Sequence, residues 1–386
     1  MIKTYVAGTM EIDDEEAAVS EILEQLDPEN NLKKNSVGII TCNLEFMEVG
    51  IVKALCGKLP FNVVGINTMS TATPGEADTM MLGITVLTSD DVFFSVGVSE
   101  PLAPGQEGPI QELFNKTAAA LPDKPEMILS FAPLLAEIGG GDTVVRELDA
   151  ASGGLPNFGT LAIDFTTQIR DPRVIFNGDT WKDRLVIVLL CGNFEPRFSV
   201  TRIPEARLLK QRAIITKSAG NIIMEVNDMP VGAYFESLGL AVNGHIANPY
   251  LIPLVIDFND NAKPVTRTIH GQSPEGYCIC GGAVPEGCSM AVGSIDVEDV
   301  LKTAIASIEA RPADPEEGLL FFSCAGRNFA LGLDIMAELK AVRESLGTDR
   351  PYMFAYSGGE ICPVLTNDGN LKNRFHNVTL ICCSFK

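Results

Sequence analysis

Reactive and polar side chains gather in three short segments near the C-terminal end of the sequence. These segments are Ser323-Cys324-Ala325-Gly326-Arg327, Tyr356-Ser357-Gly358-Gly359-Glu360 and Phe375-His376-Asn377-Val378-Thr379. They contain a guanidinium, a carboxyl, an imidazole and a thiol. A guanidinium pairs with a carboxylate through two parallel hydrogen bonds, and a carboxylate pairs with an ammonium group. The residue types therefore suit the binding of a small zwitterion such as an amino acid.

We predict a ligand-binding site built from seven residues of these segments: Ser323, Cys324, Arg327, Tyr356, Glu360, His376 and Asn377. Structural roles stay open for all of them, because small residues also satisfy tight turns and a lone histidine is more often structural than a ligand. A second interpretation is an enzyme in which Cys324 is the nucleophile and His376 the base, which requires the two side chains within hydrogen-bonding distance. A protein-binding scaffold is a third interpretation.

Sequence signatures of common enzymes and cofactor sites are missing. The chain has no phosphate-binding G-x-x-x-x-G-K-[ST] loop, no H-E-x-x-H zinc motif and no G-x-S-x-G nucleophile motif. Its three histidines are isolated, and the spacing of Cys278, Cys280 and Cys288 matches no standard zinc site. We therefore assign no catalytic residue, metal or cofactor, and expect the ten cysteines to be reduced and metal-free.

Composition excludes several classes of partner. The 386 residues are 46% hydrophobic, which is enough for a large core, and the formal net charge is −21. Such a charge repels nucleic acid and anionic membrane surfaces. The sequence shows no apolar secretory segment near its start, and its longest apolar run covers only residues 185–191. We expect a cytoplasmic protein without membrane insertion.

The strands and helices that hold the three segments follow a plan that occurs three times. Each unit is predicted to contain a strand, a helix, a second strand and one or two closing strands. The strands are predicted at 37–42, 61–66, 80–87 and 92–98 in the first unit, 127–131, 158–161, 184–190 and 196–201 in the second, and 319–324, 352–356 and 378–385 in the third. A β-rich stretch at 212–287, with one helix near 231–238, separates the second and third units.

This pattern predicts an α/β (α+β) fold in which mixed sheets are sandwiched by helices, in a layered αββα arrangement. We place the domain boundary at 205/206, which gives domains 1–205 and 206–386. Gly75-Glu76 is predicted to be the counterpart of Gly359-Glu360. Because strand ends gather along one edge of a sheet, Arg327, Glu360 and His376 are expected to converge on one cleft. Without ligand, Arg327 and Glu360 are expected to bridge each other.

In their order and spacing, the three C-terminal segments resemble the C-terminal domain of the FIST family. The N-terminal half resembles the matching FIST N domain in the strand 63–65, in Thr73-Pro74-Gly75-Glu76 and in Phe176-Asn177-Gly178-Asp179. The sequence departs from the family pattern at Gly358, where an aromatic residue is usual. This departure predicts a wider or differently shaped pocket.

The resemblance implies an intracellular sensory protein that binds small ligands, amino acids or their relatives among them. It assigns residues 1–205 to the FIST N type and 206–386 to the FIST C type. The matched segments leave no part of the sequence for an output module, so we expect signalling through a partner protein. The resemblance also implies haem as an alternative ligand, with His376 as the axial residue.

Overall fold

The computed structural model describes residues 1–103, 108–134, 140–165, 171–311, 314 and 316–385. Strands and helices alternate through the first 201 residues. The strands there are β1 (Lys3–Thr9), β2 (Asn35–Cys42), β3 (Asn62–Asn67), β4 (Thr71–Ala72), β5 (Ala77–Asp78), β6 (Leu82–Ser89), β7 (Val92–Val98), β8 (Met127–Pro133), β9 (Asn157–Ala162), β10 (Val174–Phe176), β11 (Asp179–Trp181), β12 (Val186–Gly192) and β13 (Pro196–Thr201). The helices are α1 (Glu15–Leu26), α2 (Pro28–Asn31), α3 (Leu44–Glu48), α4 (Ile51–Lys58), α5 (Pro109–Ala118) and α6 (Gly140–Ser152).

A β-rich stretch follows, and the alternation then resumes. The remaining strands are β14 (Leu208–Ala219), β15 (Ile222–Val226), β16 (Met229–Pro230), β17 (Ala241–Val242), β18 (His245–Ile246), β19 (Leu254–Asp257), β20 (Val265–Arg267), β21 (Ile269–Gln272), β22 (Cys278–Cys280), β23 (Ser289–Gly293), β24 (Leu319–Cys324), β25 (Tyr352–Ser357), β26 (Glu360–Leu365), β27 (Leu371–His376) and β28 (Leu380–Phe385). The helices are α7 (Val231–Ser237), α8 (Val297–Glu309), α9 (Ala325–Ala330) and α10 (Ala337–Leu346). In the described part of the chain, no helix has the length and apolar character needed to cross a membrane.

Three six-stranded sheets share one topology. Their strand orders are β1-β6-β2-β3-β10-β11, β7-β12-β8-β9-β26-β27 and β13-β28-β24-β25-β4-β5. In each sheet the third and fourth strands are parallel, and all other neighbours are antiparallel. The predicted α/β class with mixed sheets is confirmed.

The last two strands of every sheet come from another unit. The hairpin β4–β5 follows β3 in sequence but joins β25, and the hairpin β10–β11 follows β9 but joins β3. The hairpin β26–β27 follows β25 and joins β9. Each unit therefore contributes one hairpin to the sheet of another unit. This cyclic exchange ties the three sheets into one body.

The three sheets share a core along their inner faces, and helices cover their outer faces. Alternate residues of the two parallel strands in each sheet point into the shared core, among them Ile39, Val64, Leu129, Phe158, Phe322 and Met353. Separate apolar clusters lie under α1 and α4, under α5 and α6, and under α8 and α10. Because these strands are buried on both faces, their sequences are nearly continuous apolar runs.

The β-rich stretch forms a separate sheet over residues 208–293. Its strand order is β20-β19-β23-β14-β15-β22-β21, with β16 paired to β15, and α7 covers an apolar core of its own. The prediction of short strands with one helix near 231–238 is confirmed. Arg267 of this sheet, which has no exposed surface, donates to Asp142 of α6 at 2.9 Å and to the Phe375 carbonyl at 2.8 Å. These contacts anchor the stretch beside the second sheet.

Three predictions about the units are wrong. Residues 92–98 form β7, which starts the second sheet instead of closing the first. Residues 196–201 form β13, which pairs with β28 of the third sheet. Gly75-Glu76 lies in the turn between β4 and β5, whereas Glu360 begins β26, so the two Gly-Glu pairs are not equivalent. Local sequence patterns do not specify such long-range pairing.

Replacing Gly65 of β3 with alanine is expected to destabilise the protein by about 3 kcal/mol, as overpacked core substitutions do. A Cβ atom there would lie 2.0 Å from the Ile40 carbonyl oxygen, which belongs to the parallel neighbour β2 and cannot move freely. Gly57→Ala in α4 is the matched control, since nothing lies within 4 Å of its Cβ position. Urea unfolding compares the two variants, and equal stabilities would contradict the packing argument.

Candidate functional site

The predicted site residues lie where β24, β25, β26 and β27 begin or end. Ser323 and Cys324 are the last residues of β24 and point to opposite faces, because side chains alternate along a strand. Ser323 faces α10 on the outer side, and Cys324 lies beside Glu360. Five of the seven residues therefore divide between two buried clusters instead of lining one cleft, and His376 and Asn377 lie beside the second cluster.

The outer cluster is centred on Glu338 of α10, a residue that the sequence analysis did not select. Arg327 donates to Glu338 Oε1 through Nε at 2.9 Å and Nη2 at 2.6 Å. The hydroxyls of Ser323 and Tyr356 each donate to Glu338 Oε2 at 2.9 Å. Burial, followed by the neighbouring Glu338 carboxylate, raises the pKa of Tyr356 well above its usual range. We call these four residues the Glu338 cluster.

Arg327 is fully engaged within this cluster. Its Nη1 and Nη2 also donate to Thr303 Oγ1 at 3.1 Å and to the Val300 carbonyl at 2.9 Å, and its side chain has no exposed surface. The expected bridge between Arg327 and Glu360 is therefore wrong, because Glu338 is the partner. A guanidinium already paired with a buried carboxylate is not free to receive the carboxylate of a ligand.

The inner cluster is centred on Glu360. Its Oε1 accepts a hydrogen bond from Ser357 at 2.8 Å and its Oε2 accepts one from Thr379 at 2.7 Å, while the Cys324 thiol lies next to it. Burial raises the pKa of Glu360 to about 8, although the hydroxyl donors favour the ionised form. At neutral pH the carboxyl is therefore mostly protonated. We call Cys324, Ser357, Glu360 and Thr379 the Glu360 cluster.

His376 and Asn377 lie beside Glu360 at the end of β27, where Glu360 and His376 are register partners. His376 Nε2 lies 3.2 Å from the Cys362 carbonyl oxygen, and burial lowers the pKa of His376 to about 3. Asn377 Nδ2 donates to the His376 carbonyl at 3.0 Å. The next residue, Val378, has φ of 54°, which is strained for a β-branched residue.

Three buried polar atoms of this region have no hydrogen-bond partner: His376 Nδ1, Asn377 Oδ1 and Thr266 Oγ1. Asn377 and Thr266 are neighbours, because the backbone N–H of Asn377 donates to the Thr266 carbonyl at 3.1 Å. Leaving a buried polar atom unpaired costs about 1–3 kcal/mol, so such atoms are rare. Their concentration next to a strained residue is typical of a functional site.

The seven residues are closed to solvent. Asn377 is 1% exposed and Cys324 is 4% exposed, and the other five have no exposed surface. The space beside Gly358 is not wider, because a Cβ atom there would lie 2.8 Å from Leu134 Cδ2. Leu134 thus occupies the space beside Gly358. A ligand can reach Glu360 only if the covering residues move.

Gly281 packs tightly between Asn377 and the exposed His270. A Cβ atom on Gly281 would lie 2.6 Å from Asn377 Oδ1 and 3.0 Å from Nε2 of the exposed His270. The centre of the Tyr250 ring lies 6.4 Å from that of the His270 ring and 5.6 Å from that of the Phe329 ring. Tyr250 and Phe329 are 42% and 39% exposed. We call Tyr250, His270 and Phe329 the aromatic rim.

The burial of both side chains does not favour a Cys324–His376 enzyme. Burial raises the pKa of Cys324 far above its usual range, with the neighbouring Glu360 adding to the effect, whereas that of His376 is lowered. Neither change favours a thiolate–imidazolium pair. His376 also does not suit a haem iron, because its ring has no exposed surface and its Nε2 contacts the Cys362 carbonyl.

Thiol labelling is expected to spare Cys324 in the folded protein. A buried thiol with a raised pKa forms almost no thiolate, and the thiolate is the reactive species. Iodoacetamide at pH 8, followed by peptide mass spectrometry, should modify Cys324 only after denaturation. The half-buried Cys56, whose pKa burial raises to about 12, should also react slowly in the folded protein. Rapid labelling of Cys324 in the native state would support the enzyme interpretation.

Comparison with known domain families matches two adjoining stretches of the chain. The FIST N domain matches residues 36–229 and the FIST C domain matches residues 224–363. The chain belongs to the FIST family. The resemblance seen in the sequence is thereby confirmed, and FIST domains are sensory domains. The two matches meet at 224–229, downstream of the boundary at 205/206 that we placed from the sequence.

Comparisons with solved structures and curated proteins add little to the family assignment. The FIST protein shares 9% identity and a TM-score of 0.39 with a cyanuric acid hydrolase from A. caulinodans, over 100% of this chain and 99% of that one. With PurLQS from Thermotoga maritima it shares 9% identity and a TM-score of 0.21, over 100% of this chain and 72% of that one. At these scores neither protein informs the activity of this chain. No curated protein matches the sequence significantly.

Proposed function

We propose that this FIST protein is a sensory protein that binds a small ligand with a protonated amine at the Glu360 cluster. Amino acids and related zwitterions belong to this class. The observation that carries the proposal is a carboxyl group with no exposed surface whose hydrogen-bond donors, Ser357 and Thr379, are neutral hydroxyls. A buried carboxyl without a cationic partner stays protonated until a cation arrives. Glu360 is thus prepared to receive one.

The proposed ligand enters beneath the aromatic rim. Its amine replaces the proton of Glu360, and its polar groups satisfy Asn377 Oδ1 and His376 Nδ1, which have no partner in the closed protein. The remainder of the ligand lies toward Tyr250 and Phe329. Because Arg327 is committed to Glu338, the carboxylate of a zwitterion lies toward the rim instead of the core.

Opening of the rim gives the protein two states that a ligand can shift. The short 3-10 turn Pro249–Leu251 covers α9, and its Tyr250 ring contacts Phe329 edge to face. Aromatic pairs of this kind contribute about 0.5–1.5 kcal/mol, so opening is inexpensive. A ligand that binds the open state shifts the population toward it, and we propose that a partner protein responds to that change.

A thermal-shift screen of amino acids and simple amines tests the proposal. A ligand that binds only the folded protein raises its melting temperature. We expect at least one amine to stabilise the wild type, and Glu360→Gln to lose that stabilisation. Glu76→Gln is the matched control, since Glu76 is a half-buried carboxyl in the other Gly-Glu pair. Absence of any stabilising amine, or equal stabilisation of the Glu360 variant, would refute the proposal.

A further inference from the structure

A groove on the outer side of the third sheet is lined by none of the aromatic-rim residues and has unusual charge. It runs between β13 and the C-terminal half of α8 and has a volume of about 480 Å³. This size suits a small organic molecule. Its polar lining includes Arg197, Ser199, Thr303, Ser307 and Arg311.

Positive charge exceeds negative charge along this groove. Glu317 is the acidic residue that lines it, and its carboxylate already accepts from Arg350 at 2.7 Å and lies 3.7 Å from Arg197. Arg311 donates instead to neutral groups: the hydroxyls of Ser199 at 2.7 Å and Ser384 at 3.2 Å. The excess is notable in a chain with a net charge of −21.

Acidic residues nearby do not neutralise Arg311. A neighbouring groove on its other side is lined by Glu309, Asp314 and Asp349. Among the described residues, none of these carboxylates forms an ion pair with Arg311 within 4.0 Å. The guanidinium of Arg311 therefore keeps its charge available to a ligand in the first groove.

Two donors of the groove have no partner. Ser307 is 7% exposed, and its Oγ is buried without a hydrogen bond; Arg311 Nε is buried and unpartnered as well. Both residues line the groove. Hydroxyl and guanidinium N–H groups together form the donor set that carboxylates and phosphates accept. Val200, Ala306 and Ala310 provide apolar surface beside them.

We propose that this groove is a second ligand site, which binds a small organic oxyanion with a short apolar part. Arg197 and Arg311 pair with the anionic oxygens, and Ser307 donates one further hydrogen bond. This inference is independent of the amine site, because it uses different residues and the opposite ligand charge. Thr303 lines the groove and also accepts from Arg327 of the Glu338 cluster, at 3.1 Å.

Binding of phenyl phosphate and of benzoate to the full chain, measured by calorimetry, tests the proposal. At least one probe should bind the wild type. The probe that binds more tightly shows whether the site prefers a phosphate or a carboxylate. Arg197→Ala and Ser307→Ala should each raise the Kd about tenfold or more, as expected for lost hydrogen bonds to a charged group. Lys302→Ala is the matched control, since Lys302 is 72% exposed on the same helix and does not line the groove.

Thermal melts separate binding from folding. Ser307→Ala removes a buried hydroxyl that has no partner, so the free protein should keep or raise its melting temperature while binding weakens. Absence of binding by both probes would overturn the proposal. It would also be overturned if Lys302→Ala weakened binding as much as Arg197→Ala, because the attraction would then come from general charge.

Discussion

Replacing Arg327 with alanine is expected to destabilise the folded protein by about 3–5 kcal/mol, the usual effect of removing one partner of a buried ion pair. The substitution leaves the Glu338 carboxylate without exposed surface and without its cation. The hydroxyls of Ser323 and Tyr356 would remain as donors to Glu338, but they cannot compensate a full charge. The free energy of unfolding from urea titration measures the loss.

Two further variants serve as comparisons for Arg327→Ala. Arg146→Ala removes an exposed guanidinium, 70% accessible, whose pair with Glu147 should contribute no more than about 1 kcal/mol. The double variant Arg327→Met/Glu338→Leu removes both charges and should recover part of the stability lost in Arg327→Ala. An Arg327→Ala protein as stable as the wild type would mean that the Glu338 cluster does not support the fold.

The second large effect is on the pH dependence of stability at Glu360. Its pKa is raised from 4.5 to about 8 in the folded protein, so the folded state holds the proton more tightly than the unfolded chain does. The stabilisation from this group is complete below pH 4.5 and is lost as the pH rises toward 8. A shift of this size corresponds to roughly 5 kcal/mol between the two limits.

Comparison with Glu360→Gln isolates this contribution. His376, whose pKa is lowered, acts in the opposite direction and loses stability as the pH falls from 6.5 toward 3. Both proteins contain His376, so its effect cancels when the unfolding free energy of Glu360→Gln is subtracted from that of the wild type. We expect the variant to gain stability relative to the wild type between pH 5 and pH 8 in chemical denaturation. A difference that does not change with pH would show that Glu360 is ionised throughout.

The sequence predicted β24, β25 and β28 because their signals are local, but it missed the hairpin β26–β27 that carries Glu360 and His376. Apolar runs such as 319–324 and 352–356 are short, fully buried and separated by turns, and each became a strand of the third sheet. The same reasoning placed Cys324 at the end of a strand. Alternation along β24 could have indicated that Ser323 and Cys324 face different clusters, because the period of side chains in a strand is two.

Glu338 escaped prediction because it lies on an amphipathic helix. The apolar residues of that helix recur at helical spacing, and an acid between them resembles an ordinary solvent-facing residue. Its partner Arg327 lies eleven positions earlier, and only the folded helix α9 brings the two together. Ser357 and Thr379 were parts of the quoted segments, yet nothing local indicates that both hydroxyls donate to Glu360.

The hairpin exchange could not be predicted from one sequence. Each hairpin is short and pairs with a strand from another unit, as β26 does with β9 across about 200 residues. Such pairing depends on the shared core, not on local propensity. It matters for the site, because it brings Glu360 next to Thr160 of the second sheet.

Calorimetry of amine binding at pH 7 in two buffers with different ionisation enthalpies tests the central claim most directly. If an amine replaces the proton of Glu360, binding to the wild type should release about one proton, since a carboxyl with a pKa near 8 is mostly protonated at pH 7. The observed enthalpy should then differ between the buffers, and Glu360→Gln should not bind. Equal enthalpies in both buffers, or undiminished binding by Glu360→Gln, would contradict the assignment of Glu360 as the amine site.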